Sequence, residues 1–464
     1  MRIAVIGAGP HGLSALKALL QNGIDAQAFE READLGGNWN YGAQTSRVYR
    51  STHLISSKPF TQFPDFPMPD GYPDYPSHFQ VKEYFTSYAR HFGLVEHIRF
   101  DSEVVSVAPV GDGAIWTVTV RDRHSGDLHV EEFDGVVIAN GHNWNPKVPR
   151  YPGQESFGGE IIHSADYKDA DVLRGRRVLV VGAGNTGCDV AVESAQNAAR
   201  TWHSTRRGYY YNPKYLMGRP SDQTADLLLA LRIPLAVRRQ MFKASLRFAV
   251  GDFSKFGLKK PDHRFFETHP IVNQQLVYYV GQGDITPADD VASFDEHGVT
   301  FTDGSRADVD LVVFCTGYLV TFPFLADADL HLDWHEDHPR LALQVFTSKH
   351  RNLFVSGLIQ PDSGQWTLAH WQGMLIARFL EARQLRPVVA DRFYADATAR
   401  SGRRFSAGTT YKDSSRHYYE VAHQDYLQSL QDAINALEVP ALAPRPNDAP
   451  ERCGRGTGRC RRGR

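Results

Sequence analysis

The chain has 464 residues, of which 42% are hydrophobic and 22% are charged. This length and composition are typical of a globular protein with two or three packed units. The formal net charge of −2 gives no reason to expect nucleic acid or another polyanion as a partner. We find no apolar run of the roughly 18 residues that a spanning helix needs, so no integral membrane segment is expected and a cytoplasmic location follows by default.

The N-terminal residues follow the order strand, glycine loop, helix, strand. The apolar run Arg2–Ile6 predicts a strand, and the loop that follows has the spacing G-x-G-x-x-G. In such a loop Gly7 permits the tight turn, Gly9 lets the backbone approach a pyrophosphate and Gly12 lets the helix pack closely on the strand. Glu30, at the end of the second strand, is placed to accept a hydrogen bond from a ribose hydroxyl. We therefore predict a dinucleotide site at this helix N-terminus.

The next segment departs from this order. Residues 40–82 are rich in proline and aromatic side chains, which predicts either a functional cover or a poorly ordered linker, and the density of aromatic residues favours the cover. A helix is predicted over 81–92. Three alternating runs, at 103–107, 116–120 and 129–133, indicate an antiparallel meander. Gly135 to Ala139 is predicted to be a buried strand, and in the C-terminal part of the chain a helix is predicted over 371–383.

The strand–loop–helix order then recurs. A buried strand is predicted over 175–181, a helix over 188–199 and a further strand over 201–205. The loop between the first strand and the helix contributes a second set of candidate dinucleotide-binding residues: Gly182, Gly184, Asn185, Thr186 and Gly187.

The two candidate sites differ at the end of the second strand. Here Ser204, Thr205 and Arg206 stand in place of an acidic residue. A carboxylate would repel a 2′-phosphate, whereas a guanidinium can bind it in a bidentate manner. The second site is therefore predicted to prefer NADP over NAD, and a solvated basic turn is the alternative interpretation.

Three other parts of the chain bear on structure rather than on chemistry. Residues 221–250 predict two apolar and basic helices interrupted at Pro234, which form either a packing hairpin or a membrane-surface or substrate-access face. Residues 446–464 are rich in Arg and Gly and are predicted to be disordered, with RNA binding as an alternative. No two cysteines form a C-x-x-C pair, so neither a redox dithiol nor a metal centre is expected, and Cys188 and Cys315 are expected to be small buried residues.

These motifs resemble those of the flavin-containing monooxygenases over residues 1–385. The most specific match is F-G-G-E-I-I-H-S-A-D-Y at 157–167, which fits the family fingerprint F-x-G-x-x-x-H-x-x-x-[FY]. Further matches are the pieces G-G-N-W at 36–39, D-F-P at 65–67, A-N-G-H at 139–142, C-T-G-Y at 315–318 and L-I-Q-P at 358–361. Tyr167-Lys168 replaces the Trp-Pro of the Baeyer–Villiger branch, which favours the branch that oxygenates nitrogen and sulfur.

The resemblance implies the position of several residues. Gly37, Asn38 and Trp39 would lie against the flavin, Thr316 and Gly317 would mark the return of the chain to the FAD domain, and Gln360 belongs to the cofactor-binding set. His163 would be a positional residue at the hinge between the domains; from its sequence alone it is equally a loop histidine with satisfied hydrogen bonds.

The sequence departs from the family after the segment V-Y-R-S. Members usually carry an Asn here that is thought to steady the oxygenated flavin and to contact the nicotinamide nucleotide, whereas this chain has Leu54 and Ile55. An aliphatic side chain cannot donate a hydrogen bond to a peroxide. Either a backbone amide, His53, Ser56 or NADP replaces the Asn, or the enzyme has a different reaction or releases peroxide. No catalytic side chain is assigned from the sequence.

The implied fold is α/β with two Rossmann-like dinucleotide-binding domains, the NADPH domain being inserted into the FAD domain. Residues 1–167 and 301–445 would form the FAD domain, residues 168–300 the NADPH domain, with the helical insertion at 221–250, and residues 446–464 the tail. The family usually forms homodimers.

The implied reaction uses FAD, NADPH and O₂. A C4a-hydroperoxyflavin would pass oxygen to a soft nucleophile on a small molecule, either an amine nitrogen or a sulfide sulfur. Baeyer–Villiger oxygenation of a ketone is one alternative. The other is a redox-sensing flavoprotein that oxidises NADPH and oxygenates nothing.

Overall fold

The computed structural model describes residues 1–438, apart from residues 217, 232, 250, 337 and 413–417. The Arg/Gly-rich tail at 446–464 therefore lies outside the described residues. We number the helices of the described part in chain order: α1 (Pro10–Gln21), α2 (Lys58–Thr61), α3 (His78–His91), α4 (Asn185–Asn197), α5 (Ser221–Ala230), α6 (Leu235–Ala249), α7 (Gln275–Gln282), α8 (Ala328–His331), α9 (Trp366–Leu385), α10 (Pro387–Thr398) and α11 (His423–Leu437).

The first sheet is parallel throughout and has the predicted strand Arg2–Ile6 at its centre. Its strands lie in the order Leu353–Val355, Gly135–Ile138, Arg2–Ile6, Asp25–Phe29 and Ile98–Arg99. Nearly every residue of the central strand is buried, as expected for a parallel strand with both faces covered. The strand order reverses at Arg2–Ile6, and ligands of open α/β sheets bind at the carboxyl ends of strands beside such a point.

The second sheet repeats this arrangement around Arg177–Val181. Its parallel strands lie in the order Ile285–Ala288, Arg200–Ser204, Arg177–Val181, Leu311–Phe314 and Glu160–His163. The recurrence of the strand–loop–helix order that the sequence shows is thus a recurrence of the same sheet topology. The predicted α/β fold with two Rossmann-like units is confirmed.

The boundaries of the second unit differ from the predicted ones. The division at residues 167 and 300 assigns Glu160–His163 and Leu311–Phe314 to the first unit, but both strands pair within the second sheet. The second unit therefore extends from the strand Glu160–His163 to the strand Leu311–Phe314. Short buried apolar strands look alike in sequence, and their periodicity does not say which sheet they join.

The remaining strands are antiparallel or short. Two three-stranded antiparallel sheets consist of Ser102–Val110, Ile115–Asp122 and Leu128–Phe133, as predicted, and of Val291–Asp295, Gly298–Phe301 and Arg306–Asp308. Two-residue strands form five further pairs: Asn145–Pro146 with Tyr318–Leu319, Tyr211–Asn212 with Ile271–Val272, Tyr215–Leu216 with Arg219–Pro220, Trp334–His335 with His338–Pro339, and Gln360–Pro361 with Glu420–Val421.

Two helices begin earlier than their hydrophobic periodicity indicates. α3 starts at His78 because Ser77 and Gln80 form a capping box, in which each side chain bonds the backbone of the other. α9 starts at Trp366, five residues before the predicted residue 371, and its central residues are buried on most sides between α1 and α11. A helix that is covered on most sides lacks the polar face that would mark its ends in the sequence.

The proline-rich segment at 40–82 is an ordered cover rather than a loose linker. Phe63 is fully buried and stacks on Tyr88 of α3 with ring centroids 4.2 Å apart. Lys17 of α1 forms an ion pair with Asp65, which fixes the segment to the helix that follows the first glycine loop.

Residues 221–250 form the two predicted helices, α5 and α6, with Pro234 between them. Leu246 of α6 is buried in the core of the second unit and Phe242 packs against that core. Other apolar side chains face outward, and Phe248 is 89% exposed. The packing-hairpin interpretation therefore describes one face of α6 only. No helix in the described part of the chain is both long and apolar enough to cross a membrane.

Candidate active site

The first glycine loop leaves no room for side chains on its inner side. Gly7 has φ +102°, and a Cβ on it would lie 2.7 Å from the carbonyl oxygen of Ala139. A Cβ on Gly12 would lie 1.9 Å from the carbonyl oxygen of Gly7. Gly9 caps α1, and no side chain bonds the first-turn amides. These amides and the positive end of the helix dipole suit a diphosphate.

Glu30 lies beside this loop and is 5% exposed. The amide of Ala8 donates to Glu30 Oε2 at 2.8 Å, and the amide of Glu32 donates to Oε1 at 3.0 Å. Burial raises the pKa of the carboxyl group, and these two hydrogen bonds oppose the rise. Each carboxylate oxygen keeps a second lone pair, so Glu30 can still accept hydrogen bonds from a ribose.

The turn Gly37–Trp39 packs directly against the first glycine loop. The amide of Gly36 donates to the carbonyl of Ala8 at 2.9 Å, and a Cβ on Gly37 would lie 3.1 Å from the Cα of Gly9. Trp39 makes an edge contact with Trp366 of α9 at 5.9 Å between ring centroids. The structure thus brings the predicted residues of this turn to the predicted diphosphate site.

Asn38 connects the same turn to the segment that leads to Ile55. Its side-chain Oδ1 accepts a hydrogen bond from the amide of Arg47 at 2.6 Å, and its carbonyl accepts one from Ser46 Oγ at 2.9 Å. Through its Oδ1 and its carbonyl, Asn38 therefore holds the backbone of this segment in place.

The second glycine loop repeats the geometry of the first. Gly182 has φ +123°, and a Cβ on it would lie 2.3 Å from the carbonyl oxygen of Cys315. A Cβ on Gly187 would lie 2.0 Å from the carbonyl oxygen of Gly182. Gly184 caps α4 and has open space around its Cβ position. Thr186 is half-buried in the first turn of α4. The loop therefore offers a second site of the same form.

Asn185 serves a local structural purpose in this loop. Its side chain donates to the carbonyl of Pro270 at 3.2 Å and accepts from the amide of Val272 at 2.8 Å. These bonds attach the loop to the short strand Ile271–Val272. Both ends of the Asn185 side-chain amide therefore have partners within the protein.

Two tetrapeptides occupy equivalent places at the two loops. Ala139 packs on Gly7 at the end of one strand, and Cys315 packs on Gly182 at the end of the other. Gly141 and Gly317, two residues further on, both have positive φ values of +72° and +85°. The pieces A-N-G-H and C-T-G-Y are thus the same structural element, used once in each unit. Cys315 is buried, as predicted, and burial raises the pKa of its thiol to about 12.

Thr316 and Gly317 lie where the chain leaves the second unit. Thr316 Oγ1 donates to the carbonyl of Lys147 at 2.6 Å, and the amide of Lys147 donates to the carbonyl of Gly317 at 2.9 Å. The following strand Tyr318–Leu319 then pairs with Asn145–Pro146. The return of the chain to the first unit is therefore made just after the predicted residues.

The end of the strand Arg200–Ser204 carries exposed positive charge. Ser204 Oγ donates to the carbonyl of Asp289 at 2.6 Å, and Thr205 is buried, so both side chains are held within the protein. Arg206 is exposed, and in the described residues its guanidinium makes no ion pair. Lys259 Nζ donates to the carbonyl of Thr205 at 2.8 Å.

Lys259 is a cation that sequence reasoning missed. Asp289 Oδ1 lies 3.0 Å from its Nζ and holds it beside the turn that carries Arg206. The approach is possible because Gly208 has no side chain: a Cβ there would lie 2.2 Å from the carbonyl oxygen of Lys260. The only sequence signal is the dibasic pair Lys259-Lys260, and nothing in it specifies this neighbour.

The fingerprint at 157–167 lies at the junction of the two units. His163 Nδ1 accepts a hydrogen bond from the amide of Ala165 at 3.0 Å, and burial lowers the pKa of the imidazole. Tyr167 is fully buried and donates to Glu193 of α4. A neutral, buried histidine that bonds its own turn fits the predicted positional role.

Two further contacts connect the units next to the fingerprint. Lys168 Nζ donates to the carbonyl of Ser46 at 2.8 Å. Tyr49 Oη donates to Asp189 Oδ2 of α4 at 2.6 Å, and Asn273 donates to the other carboxylate oxygen at 2.7 Å. Burial raises the pKa of Asp189, and these two bonds favour its charged form. The segment after Gly37–Trp39 is thereby held to both glycine loops.

Leu54 and Ile55 point in different directions at the end of this segment. Leu54 is 4% exposed and packs in the core of the first unit, so its side chain is not available to a cofactor or substrate. Ile55 is half-buried and lines a cavity. Only the second of the two residues therefore occupies a position that can influence chemistry.

The cavity extends from Ile55 to the helical insertion and the C-terminal segments. The amide of Gln360 donates to the carbonyl of Tyr419 at 2.7 Å. The next two residues, Pro361 and Asp362, lie in the wall. Much of the wall is apolar or aromatic: Phe60, Tyr75, Tyr210, Leu216, Leu235, Phe242, Leu246, Phe265, Phe266 and Val272. The access face predicted for residues 221–250 thus includes side chains that line the cavity.

No group of three or more His, Cys, Asp or Glu side chains within the described ranges is arranged to hold a metal ion. The structure has two glycine loops of the same form, connected by a segment that ends at a mostly apolar cavity.

Known proteins are similar to this chain in sequence and in architecture. The family described as Flavin-binding monooxygenase-like matches residues 1–443. The chain is 34% identical to Flavin-containing monooxygenase 5 of Mus musculus, over 97% of this chain and 84% of that protein. It is 29% identical to Flavin-containing monooxygenase 2 of Homo sapiens, over 95% and 83% of the two chains.

Two solved structures share the fold. The S-allyl-L-cysteine S-oxygenase of Allium sativum is 21% identical with a TM-score of 0.65, over 94% of this chain and 88% of that one. Cyclohexanone monooxygenase in its open form is 19% identical with a TM-score of 0.69, over 94% and 96%. With the match to the family over nearly the whole length, these findings identify the cofactors as FAD and NADPH, and the chain belongs to the flavin-binding monooxygenase family.

Proposed function

We propose that the enzyme uses NADPH and O₂ to oxygenate an amine nitrogen or a sulfide sulfur of a small molecule in the cavity beside Ile55. The observation that carries the proposal is the position of Ile55, which lines the cavity and ends the segment that Asn38 and Tyr49 hold to both glycine loops. An apolar wall at this point excludes water, which favours transfer of oxygen over its loss as peroxide.

We assign the first loop to FAD and the second to NADPH. Gly7, Gly9 and Gly12 would cradle the FAD diphosphate, and Glu30 would accept from the ribose. FAD, once reduced, supplies the activation of O₂.

The second loop would receive the donor nucleotide. Gly182, Gly184 and Gly187 would cradle the diphosphate of NADPH, and Arg206 with Lys259 would hold its 2′-phosphate. The units so assigned are the first sheet, with residues from both ends of the chain, and the inserted second sheet.

The names of several relatives support a soft nucleophile as substrate. Dimethylaniline monooxygenase [N-oxide-forming] 2 of Pan troglodytes is 29% identical over 95% of this chain. The garlic neighbour is an S-oxygenase. Tyr167-Lys168 at the end of the fingerprint points the same way. Ile55 offers no hydrogen bond, so stabilisation of the activated oxygen would come from backbone amides, from Ser56 or from the bound nucleotide.

The test combines a spectrum with a substrate panel. We expect purified enzyme to show the twin visible bands of oxidised flavin, to lose them on addition of NADPH without air and to regain them in air. With tertiary amines or thioethers, NADPH consumption should match the N-oxide or sulfoxide formed. Colourless protein that cannot be reconstituted with FAD would contradict the proposal.

Two outcomes of the panel would favour the alternatives. Lactone or ester formation from ketones, without oxygenation of amines or sulfides, would indicate Baeyer–Villiger activity. One H₂O₂ per NADPH with every compound would indicate a flavoprotein that oxygenates nothing, which is what the aliphatic Ile55 would cause if no other group replaces the missing amide.

A further inference from the structure

The wall of the cavity contains a carboxylate that faces inward. Asp362 follows the short strand Gln360–Pro361, which pairs with Glu420–Val421 and so brings two acidic side chains together. More than a third of the surface of Asp362 is accessible, and this surface lies within the cavity. One oxygen, Oδ1, accepts a hydrogen bond from the amide of His423 at 2.9 Å. The residue is thus enclosed by protein yet open to a ligand.

Glu420 lies behind this position and is 3% exposed. Among the residues that the structure describes, its Oε1 has no hydrogen-bond partner, although His269 Nδ1 lies 3.3 Å from it. Burial and the charge of Glu420 raise the pKa of Asp362, while His269 and the hydrogen bond from His423 lower it. Two neighbouring carboxylates, one of them buried with an unsatisfied oxygen, destabilise each other, and a positive group in the cavity would offset that cost.

The other charged groups in the described part of the wall are mostly acidic. Asp222, Asp226 and Asp425 also line the cavity, and each accepts a hydrogen bond from an amide group of the protein: Ser57 N, Gln424 Nε2 and Ala407 N. Arg238 is a guanidinium of the wall; its Nε donates to the carbonyl of Ile233, and it lies 6.0 Å from the ring centroid of Phe266. Burial lowers the pKa of Arg238 and the charge of Asp362 opposes that change, although in the described part of the chain the two side chains form no ion pair. Carboxylates therefore outnumber permanent cations in the cavity.

We propose that Asp362, supported by Glu420, binds a cationic group of the substrate, such as an ammonium, at a point separate from the atom that is oxygenated. The substrate class is then an amphiphile with an apolar body, a positive group and a sulfide or second amine. The aromatic side chains Phe242, Phe265 and Phe266 would contact the apolar body. This inference rests on the proposed function, because it names the substrate of the same cavity.

The first test measures binding without turnover. The FAD-loaded enzyme is titrated in a calorimeter with hexyltrimethylammonium, whose nitrogen has no lone pair to oxygenate, and with the neutral 1-heptanol and the anionic hexanesulfonate. We expect the cation to bind more tightly than either comparator. Asp362→Asn should weaken binding of the cation by about tenfold or more and leave 1-heptanol unchanged.

The control variant is Asp396→Asn, which removes the same charge from an exposed position of α10 outside the cavity wall. It should bind the cation as the wild type does. Equal binding of cation and alcohol, tighter binding of the sulfonate at Arg238, or equal weakening in both variants would overturn the proposal.

The second test separates this inference from the proposed function. Hexyl methyl sulfide is compared with its analogue that carries a terminal ammonium, and kcat/KM should favour the ammonium compound in the wild type but not in Asp362→Asn. If the neutral sulfide is oxygenated equally well by both proteins and the ammonium gives no advantage, the cation site is wrong and the oxygenation stands. If nothing is oxygenated but calorimetry shows the cation preference, the proposed function is wrong and the site stands.

Discussion

Arg206 and Lys259 would form the positive end of the proposed second nucleotide site. The guanidinium is exposed, and Asp289 holds the ammonium group of Lys259 next to the same turn. A 2′-phosphate would gain charge-assisted hydrogen bonds from these groups that a 2′-hydroxyl cannot make. The preference for NADPH should therefore depend on Arg206 specifically.

We expect Arg206→Ala to raise KM for NADPH by about tenfold or more and to leave KM for NADH nearly unchanged. Steady-state oxidation of the two nucleotides, followed by absorbance, measures both constants. Arg200→Ala is the matched control, since Arg200 lies at the other end of the same strand and over the ring of Trp202. Equal increases for the two nucleotides in Arg206→Ala would show that the turn is only a solvated basic surface.

The directions in which the Leu54 and Ile55 side chains point cannot be predicted from the sequence. Both are aliphatic and adjacent, and both occupy the region where the family carries its Asn. Leu54 packs in the core and Ile55 faces the cavity. Residue type alone gives no basis for this distinction, because the direction of a side chain in a loop depends on the backbone around it. A hydrogen bond to another segment fixes that backbone: the amide of Leu54 donates to the carbonyl of Pro76 at 3.0 Å.

The glycine loops are the elements on which cofactor binding depends. Gly184 caps α4 with an extended φ of −70°, and a Cβ on it would meet no atom within 4 Å. An alanine there fits the protein itself and would protrude into the space where a diphosphate would lie. We expect Gly184→Ala to weaken NADP⁺ binding by about tenfold while thermal stability and bound FAD stay the same.

Calorimetric titration of NADP⁺ and the flavin absorbance of the purified variant test this prediction. Gly187→Ala provides the contrast, because its Cβ would lie 2.0 Å from the carbonyl oxygen of Gly182. That variant should unfold at a lower temperature whether or not nucleotide is present, since the loop and α4 must move apart. Wild-type affinity for NADP⁺ in Gly184→Ala would place the diphosphate elsewhere.

The molecule as a whole is stabilised by contacts between distant parts of the chain. The first sheet combines Arg2–Ile6 with Leu353–Val355, so its cofactor site depends on both halves of the sequence. A ligand that binds only the folded state at 100 times its Kd adds about 2.7 kcal/mol to the free energy of unfolding. We therefore expect removal of FAD to lower Tm, and NADP⁺ added to the FAD-loaded enzyme to raise Tm further.

Differential scanning fluorimetry of the apoprotein, the FAD-loaded enzyme and its mixture with NADP⁺ measures these shifts. In Arg206→Ala the shift caused by FAD should remain and the shift caused by NADP⁺ should shrink, because the two sites lie on different sheets. NAD⁺ at the same concentration is the comparison ligand. A variant that loses both shifts together would contradict two separate sites.

The sequence by itself determined the two sheets' central strands, the two glycine loops, Glu30 and the exposed cation at Arg206. Each of these follows from local spacing, since a tight turn, a helix start and a short buried strand are fixed by neighbouring residues. The same local order identified the meander and the two helices of 221–250.

Only the tertiary structure decided which sheet receives Glu160–His163 and Leu311–Phe314, that Lys259 stands beside Arg206, and that Asp362 and Glu420 meet in the cavity wall. These are contacts between segments far apart in the chain. They depend on how whole strands and helices pack, and the free energy of that packing is shared among many side chains, so no single stretch of sequence records it.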